Sequence, residues 1–165
     1  MKQLTVLATA LAQLTLVGVG VAPQLSAHLR GETYLLAVAP VDPVDPFRGA
    51  YVSLDYPGLR RDRAPSVDAS GLGAADGGRR GDVYATLRRH GDVWEADQWT
   101  RERPDEAPYL ACEDRSWQVR CGIESFFLPQ EDAAAMEQAL TDGAIAEVRI
   151  DDRGNAVVVD VREEP

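Results

Sequence analysis

The first 30 residues contain a long apolar segment. No Asp, Glu, Lys or Arg occurs between Lys2 and Arg30, and residues 4–22 are apolar apart from three threonines and Gln13. About 20 apolar residues span a hydrocarbon core as a helix, which satisfies its own backbone groups in lipid. Threonine hydroxyls can bond back to carbonyls one turn earlier. The pattern predicts a transmembrane helix, with Pro23 marking its exit or a kink.

Two other interpretations of this segment stay open, a cleaved signal peptide and a buried core helix. A signal peptide has a shorter apolar core of about 7–15 residues and a small-x-small cleavage site. Residues 25–27 match that site poorly, and Pro23 disfavours cleavage after Ala22. We favour the uncleaved anchor. Lys2 then keeps the short end in the cytoplasm by the positive-inside rule, and a single-pass protein of the cell membrane carries its C-terminal domain outside, in the periplasm or at the cell surface.

Beyond Gly31 the pattern changes to short apolar or alternating runs separated by turn residues, which is typical of strands. His90-Gly91 and residues 151–155 each lie between two such runs and predict hairpins. We expect six to eight short strands. They include residues 34–39, 51–56, 82–89, 93–99, 145–150 and 156–161, with further strand-like sequence within 117–127.

Two segments depart from the strand pattern. Residues 129–140 open with proline and acidic residues, have apolar positions at helical spacing and are followed by Gly143, which predicts one short helix. Residues 57–81 lack periodicity and predict a flexible loop. The expected fold class is α+β, mostly antiparallel β. A membrane anchor at residues 1–30 precedes one small β-rich domain at residues 31–165.

Charge and the distribution of lysine exclude several functions. The formal net charge is -10 and the pI is about 4.6, so a nucleic-acid backbone would be repelled. Lys2 is the only lysine in the chain. The domain therefore has no lysine for a phosphate-binding loop, a Schiff base or a Ser-Lys dyad.

Cys112 and Cys121 are the only two cysteines and flank a short polar stretch. In an exported domain such a pair usually forms a disulfide, which would stabilise the fold by roughly 2–3 kcal/mol. A zinc site is the weaker alternative, because the spacing is too wide for a CxxC knuckle and both histidines, His28 and His90, lie far away in sequence. We predict the disulfide, and no metal or cofactor.

Residues 40–56, PVDPVDPFRGAYVSLDY, resemble the signature of the GDYXXLXY family, although Ala50 replaces the aspartate of that signature. Residues 121–127 resemble the family's YGIExxF segment, and the closing hairpin resembles its VxVDxxGxA end. The resemblance implies a small membrane-associated protein. It also implies a multi-pass membrane partner, because family members are often encoded beside such proteins. It implies no activity, and alanine at position 50 favours a structural role for that position.

The candidate site consists of residues from the segments that match these motifs. The Asp-Pro pairs predict a stiff extended connection, Gly49 suits a bulge or a positive φ, and Arg48 could pair with a nearby carboxylate. Tyr51 and Tyr56 would lie on opposite faces of an unbulged strand. The candidate binding residues are Asp42, Asp45, Arg48, Gly49, Tyr51, Leu54, Tyr56 and Glu124.

Two functions are compatible with this set. The first is a membrane-anchored binding or accessory domain of unknown ligand that works with another membrane or envelope protein. The second is a carboxylate-dependent envelope hydrolase using Asp42, Asp45 and Glu124, which requires these carboxylates to converge in a pocket. The spacing matches no calcium loop, and no GxSxG motif is present. We favour the binding role over an enzyme and expect most aromatic residues, such as Trp94 and Trp99, to pack in the core.

Overall fold

The computed structural model describes residues 2–40, 51–60, 80–115, 118–127 and 143–163. One long helix is followed by eight strands in these residues. They are α1 (Lys2–Arg30), β1 (Glu32–Pro40), β2 (Tyr51–Asp55), β3 (Asp82–His90), β4 (Val93–Thr100), β5 (Tyr109–Glu113), β6 (Ser125–Phe127), β7 (Ala144–Ile150) and β8 (Ala156–Glu163).

Helix α1 is 29 residues long, so it extends about 43 Å at 1.5 Å per residue. The helix continues through Pro23 and ends at Arg30, so Pro23 does not mark its end, and a kink at Pro23 stays a prediction. The segment Val6–Arg30 is long and apolar enough to cross a membrane. Its large apolar side chains, from Val6 to Leu29, are all more than half exposed. The helix is therefore not a core element of the described domain.

The strands form two antiparallel sheets. The larger has the order β6-β2-β1-β7-β8 and the smaller has the order β4-β3-β5. One buried cluster takes side chains from both sheets, and the ring of Tyr34 on β1 meets the ring of Trp94 on β4 edge-on at a centroid distance of 5.0 Å. The domain is β-rich and antiparallel, as the sequence predicted.

The strands bury alternate residues, as the period of two requires. On β1 the buried side chains include Leu36 and Val38, and on β3 they are Val83, Ala85 and Leu87. The intervening residues face outward or lie half-buried. This inward row of β3 packs in the same cluster as the inward row of β1 and joins the two sheets.

Most of the predicted strands are present, and the hairpins β3–β4 and β7–β8 occur where the sequence placed them. Strand β5 was missed, and β6 is shorter than the strand-like run at 117–127. Residues 57–59 form a 3-10 turn, which the predicted loop at 57–81 did not anticipate. The short helix predicted at 129–140 and the middle of that loop lie outside the described residues.

Candidate functional site

Strands β2 and β6 bring two of the motif segments together. Val52 pairs with Phe126, and Ser53 pairs with Ser125. The next residue, Leu54, is 3% exposed, and its backbone N–H donates to the carbonyl of Glu124 at 2.9 Å. The segments at 51–56 and 121–127 thus form one continuous unit, although they lie about 70 residues apart in sequence.

The phenol of Tyr56 forms a further hydrogen bond between the two segments of this unit. Its side chain is buried, and its hydroxyl donates to the carbonyl of Ile123 at 2.8 Å. Burial raises the pKa of Tyr56, and the nearby negative charge of Glu124 raises that pKa further. The phenol therefore stays protonated at physiological pH and keeps its role as a hydrogen-bond donor. Tyr56 serves the fold here and does not act as a titrating group.

Glu124 holds the turn formed by residues 121–124, which we call the Glu124 turn. Its carboxylate accepts the backbone N–H of Cys121 and, at 3.1 Å, that of Gly122. Gly122 has a φ of +82°, a value that favours glycine. A carboxylate that bonds to nearby backbone N–H groups stabilises a turn. The half-buried Glu124 is thus engaged by its own backbone.

A disulfide fastens the Glu124 turn to the smaller sheet. Cys112 at the end of β5 is bonded to Cys121, as the sequence predicted. Beside it, Glu113 and Arg120 exchange two backbone hydrogen bonds of 2.8 Å. The covalent link and this short ladder tie β5 to the β2–β6 unit.

The other predicted binding residues are Tyr51 and four residues that the structure does not describe. Asp42, Asp45, Arg48 and Gly49 fall outside the described residues, so their convergence with Glu124 stays a prediction. Tyr51 is the first residue of β2. Within the parts of the chain that the structure describes, no three His, Cys, Asp or Glu residues are grouped so that they could hold a metal ion.

A second turn, formed by residues 151–155 between β7 and β8, is also held by a carboxylate, as the Glu124 turn is, but its carboxylate is more deeply buried. We call it the Asp151 turn. Asp151 is 3% exposed. Its carboxylate accepts the backbone N–H groups of Arg153 and Asn155 and the side-chain amide of Asn155, each at 2.9 Å. Sequence reasoning found the hairpin and missed the role of this carboxylate.

Gly154 completes the Asp151 turn. Its φ is +79°, and a Cβ atom there would lie 2.6 Å from the ring of Tyr109 and 2.8 Å from the backbone nitrogen of Ala111. The carbonyl of Gly154 accepts the N–H of Ala111 at 2.9 Å. Only glycine fits both the backbone conformation and the close approach to β5.

The smaller sheet also holds the exposed side of the Asp151 turn. Tyr109 is 2% exposed, and its hydroxyl donates to the carbonyl of Asp152 at 3.1 Å. Arg103 donates to that hydroxyl at 2.6 Å and to the same carbonyl at 3.1 Å. The turn is therefore fixed from the side of β5 by both backbone and side-chain bonds.

Helix α1 contacts the Asp151 turn from another side. Burial raises the pKa of Asp151, but hydrogen bonds from the side chains of Asn155 and Ser26 and from backbone N–H groups outweigh it and leave the pKa below its usual value. Ser26 belongs to the penultimate turn of α1. The neighbouring Ala27 is fully buried. A membrane-type helix thus bonds to a buried carboxylate of the domain.

The passage from α1 into β1 takes a single residue, Gly31. Its N–H donates to the carbonyl of Ala27 at 2.9 Å, and its carbonyl accepts two bonds from the guanidinium of Arg149, at 2.9 and 3.1 Å. A Cβ atom at Gly31 would clash with the Ala27 carbonyl oxygen and would lie 2.9 Å from the nitrogen of Ile150. We call Ser26, Ala27, Gly31, Arg149 and Asp151 the helix–domain joint.

These features define a class of protein, in which an exposed apolar helix runs without a linker into a β-rich domain closed by a disulfide. The family model described as GDYXXLXY protein matches residues 13–161. The chain belongs to this family, which confirms the resemblance found in the sequence. No curated protein and no solved structure matches the chain.

Proposed function

We propose that this protein is a membrane-anchored accessory protein that holds its β-rich domain outside the cytoplasm, where the domain binds another membrane or envelope protein. The observation that carries the proposal is the helix–domain joint. An apolar helix with exposed side chains is bonded to the domain through Ser26, Gly31 and Arg149. Such a helix is suited to lipid, because apolar side chains are stable there and its backbone groups bond to one another.

The joint also supports retention of α1. Cleavage after Ala27, the poor signal-peptidase match, would remove the Ser26 hydroxyl from Asp151 and the Ala27 carbonyl from the N–H of Gly31. It would also remove a fully buried side chain, since Ala27 is 0% exposed. The N–H of Gly31 would lose its acceptor and the buried Asp151 carboxylate would lose one of its donors, which is costly. An anchor that stays attached agrees better with this packing than a signal peptide does.

Two features support an extracytoplasmic domain. The Cys112–Cys121 disulfide suits an oxidising compartment, because cytosolic thiols are kept reduced. Lys2 precedes the apolar segment, and the positive-inside rule places that end in the cytoplasm. The proposed location is therefore the cell membrane, with the domain in the periplasm or at the cell surface.

The geometry of Glu124 supports binding over catalysis. The hydrolase alternative needs the carboxylate of Glu124 to face a substrate together with Asp42 and Asp45. Both oxygens of that carboxylate accept backbone N–H groups of the Glu124 turn. A group engaged in this way is suited to holding the turn. The partner proposed from the family resemblance is a multi-pass membrane protein.

Fractionation of cells that produce the full chain tests location. We expect the uncleaved protein to sediment with membranes and to resist alkaline carbonate, and Cys112 and Cys121 to react with a maleimide only after reduction. The variant with Cys112→Ser and Cys121→Ser, which cannot react, is the control. Full-length protein in the cytosol with both thiols reactive would overturn the proposal.

Cross-linking in intact membranes, followed by mass spectrometry, tests the accessory role. We expect a membrane or envelope protein to be linked to the β-rich domain. A Glu124→Gln variant keeps the shape of the side chain and serves to test the alternative, because loss of a hydrolytic activity in this variant would favour the enzyme. Recovery of no partner from cross-linked membranes would contradict the accessory role.

A further inference from the structure

Among the described side chains of the apolar segment of α1, one polar group, that of Gln13, makes no hydrogen bond within the helix. Gln13 lies nine residues from each end of the apolar segment 4–22, because 13 − 4 and 22 − 13 are both 9. In the proposed membrane setting this position lies within the hydrocarbon core, where an unpaired polar group is costly. Gln13 is exposed, and its carboxamide makes no hydrogen bond to any residue that the structure describes.

Thr15 shows how a polar side chain in the same helix can be satisfied. Its hydroxyl donates to the carbonyl of Leu11 at 2.9 Å, so Thr15 needs no partner outside α1. A carboxamide has two N–H donors and a carbonyl acceptor. Within a membrane, such side chains commonly bond across to a neighbouring helix. Gln13 is therefore a described polar side chain of the apolar segment that would need a hydrogen-bonding partner on a second helix.

The face around Gln13 is suited to close contact with another helix. Thr9, Leu16 and Gly20 lie four residues before it and three and seven residues after it, so all four share one side of the helix. Gly20 has nothing within 4 Å of the position where a Cβ would lie. A small residue at such a place lets two helix backbones approach closely. The opposite side presents Leu11 and other apolar residues, which are suited to lipid.

We propose that two copies of this chain associate in the membrane through parallel α1 helices that pair Gln13 with Gln13. This rests on the proposed membrane anchoring. A second copy supplies what Gln13 lacks, because a carboxamide is complementary to itself and two of them exchange two N–H···O bonds. Copies inserted in the same direction also bring Gln13 to the same depth. In the pair, the carboxamide of each Gln13 has the other as its hydrogen-bonding partner.

The proposal is tested by cysteine cross-linking of the full chain in native membranes. Leu16→Cys, which keeps Gln13 and lies on its side of α1, is compared with Leu11→Cys, which also keeps Gln13 and lies on the other side. We expect oxidation to give a covalent dimer of the chain with Leu16→Cys and several-fold less with Leu11→Cys. Equal yields from both positions, or a bond from position 16 to a different protein, would overturn the pairing of two copies.

Energy transfer between two dye-labelled samples of the full chain in phosphatidylcholine and phosphatidylglycerol vesicles measures the association itself. We expect Gln13→Leu to weaken association about tenfold, Gln13→Asn to retain most of it, and Thr15→Val to leave it unchanged. Association that is unaffected by Gln13→Leu, or a wild-type chain that stays monomeric, would overturn the inference. Carbonate extraction keeps this outcome distinct from failure of the anchor, because a monomer that resists extraction contradicts only the pairing.

Discussion

The Glu124 turn and the Asp151 turn use the same chemistry at two depths of one domain. In each, a carboxylate accepts two backbone N–H groups and a glycine has a φ near +80°. They differ in their surroundings. Glu124 is half-buried beside a disulfide, whereas Asp151 is 3% exposed and its turn is contacted by both α1 and β5. The comparison shows that the same arrangement, a carboxylate bonded to backbone N–H groups beside a glycine with positive φ, stabilises a half-buried turn in one place and the attachment of a helix in the other.

Gly154→Ala should have the largest effect. The added Cβ would lie 2.6 Å from the Tyr109 ring at a φ of +79°, so backbone strain and overpacking act together and should cost about 4 kcal/mol. Urea unfolding of the full chain in mild detergent, followed by tryptophan fluorescence, measures the loss. Gly91→Ala is the control, because Gly91 has a φ of +62° and nothing within 4 Å; it should lose only about 1 kcal/mol. Equal losses would show that contact with β5 is unimportant.

Removal of the two carboxylates compares the turns directly. Asp151→Ala should lower the free energy of unfolding by about 3 kcal/mol, because buried N–H donors and the Ser26 hydroxyl lose their acceptor. Glu124→Ala should lower it by about 1 kcal/mol, because water can reach the half-buried turn and the disulfide still holds it. The same urea titration measures both. A Glu124→Ala loss as large as that of Asp151→Ala would contradict the assigned difference in depth.

Tyr56→Phe tests how much the hydrogen bond from Tyr56 to the Glu124 turn stabilises the fold. It removes the donor to the buried Ile123 carbonyl, and the expected loss is about 1.5 kcal/mol. Tyr34→Phe is a matched control, since the Tyr34 hydroxyl bonds to the exposed Glu32 at 3.1 Å and water can replace it, with a loss below about 0.5 kcal/mol. Equal effects of the two substitutions would rule out a special role for the Tyr56 bond.

The pH dependence of Asp151 should be the smallest of these effects. Its pKa is lowered in the folded state from an ordinary value of 3.8. A carboxyl group whose pKa is lower in the folded than in the unfolded state stabilises the fold. This contribution is complete at a pH above the unfolded-state pKa, and it is lost as the pH falls through the folded-state pKa. The stability difference between wild type and Asp151→Asn should therefore be constant near neutral pH and shrink below pH 3.8. Urea titrations across this range would show it, and a difference that grows in acid would give the wrong sign.

The sequence predicted what depends on near neighbours. A short apolar run identified β1, alternation identified β2, and Gly91, with its φ of +62°, marked the tight hairpin between β3 and β4. Strand β5 was missed because it is short, follows Pro108 and shows no clear alternation in YLACE. The sheet order depends on pairings between strands distant in sequence, such as β1 with β7, which no local pattern encodes.

The candidate site was predicted only in part for the same reason. The motifs identified Tyr56 and Glu124, but nothing local showed that the Tyr56 hydroxyl would bond to the carbonyl of Ile123, 67 residues away. The contact between Ser26 and Asp151 gave no sequence signal, since an isolated serine near a helix end is common. An aspartate three residues before a glycine in a hairpin is the one clue that could have indicated the Asp151 turn.

The single-residue passage at Gly31 has a consequence for how the domain moves. A flexible tether would let the globular part tumble freely above the membrane surface. Here Gly31 alone separates the last residue of α1 from the first residue of β1, and the guanidinium of Arg149 donates to the carbonyl of Gly31. In a bilayer, the tilt and rotation of α1 would then dictate which side of the domain faces the lipid headgroups and which side faces away from them.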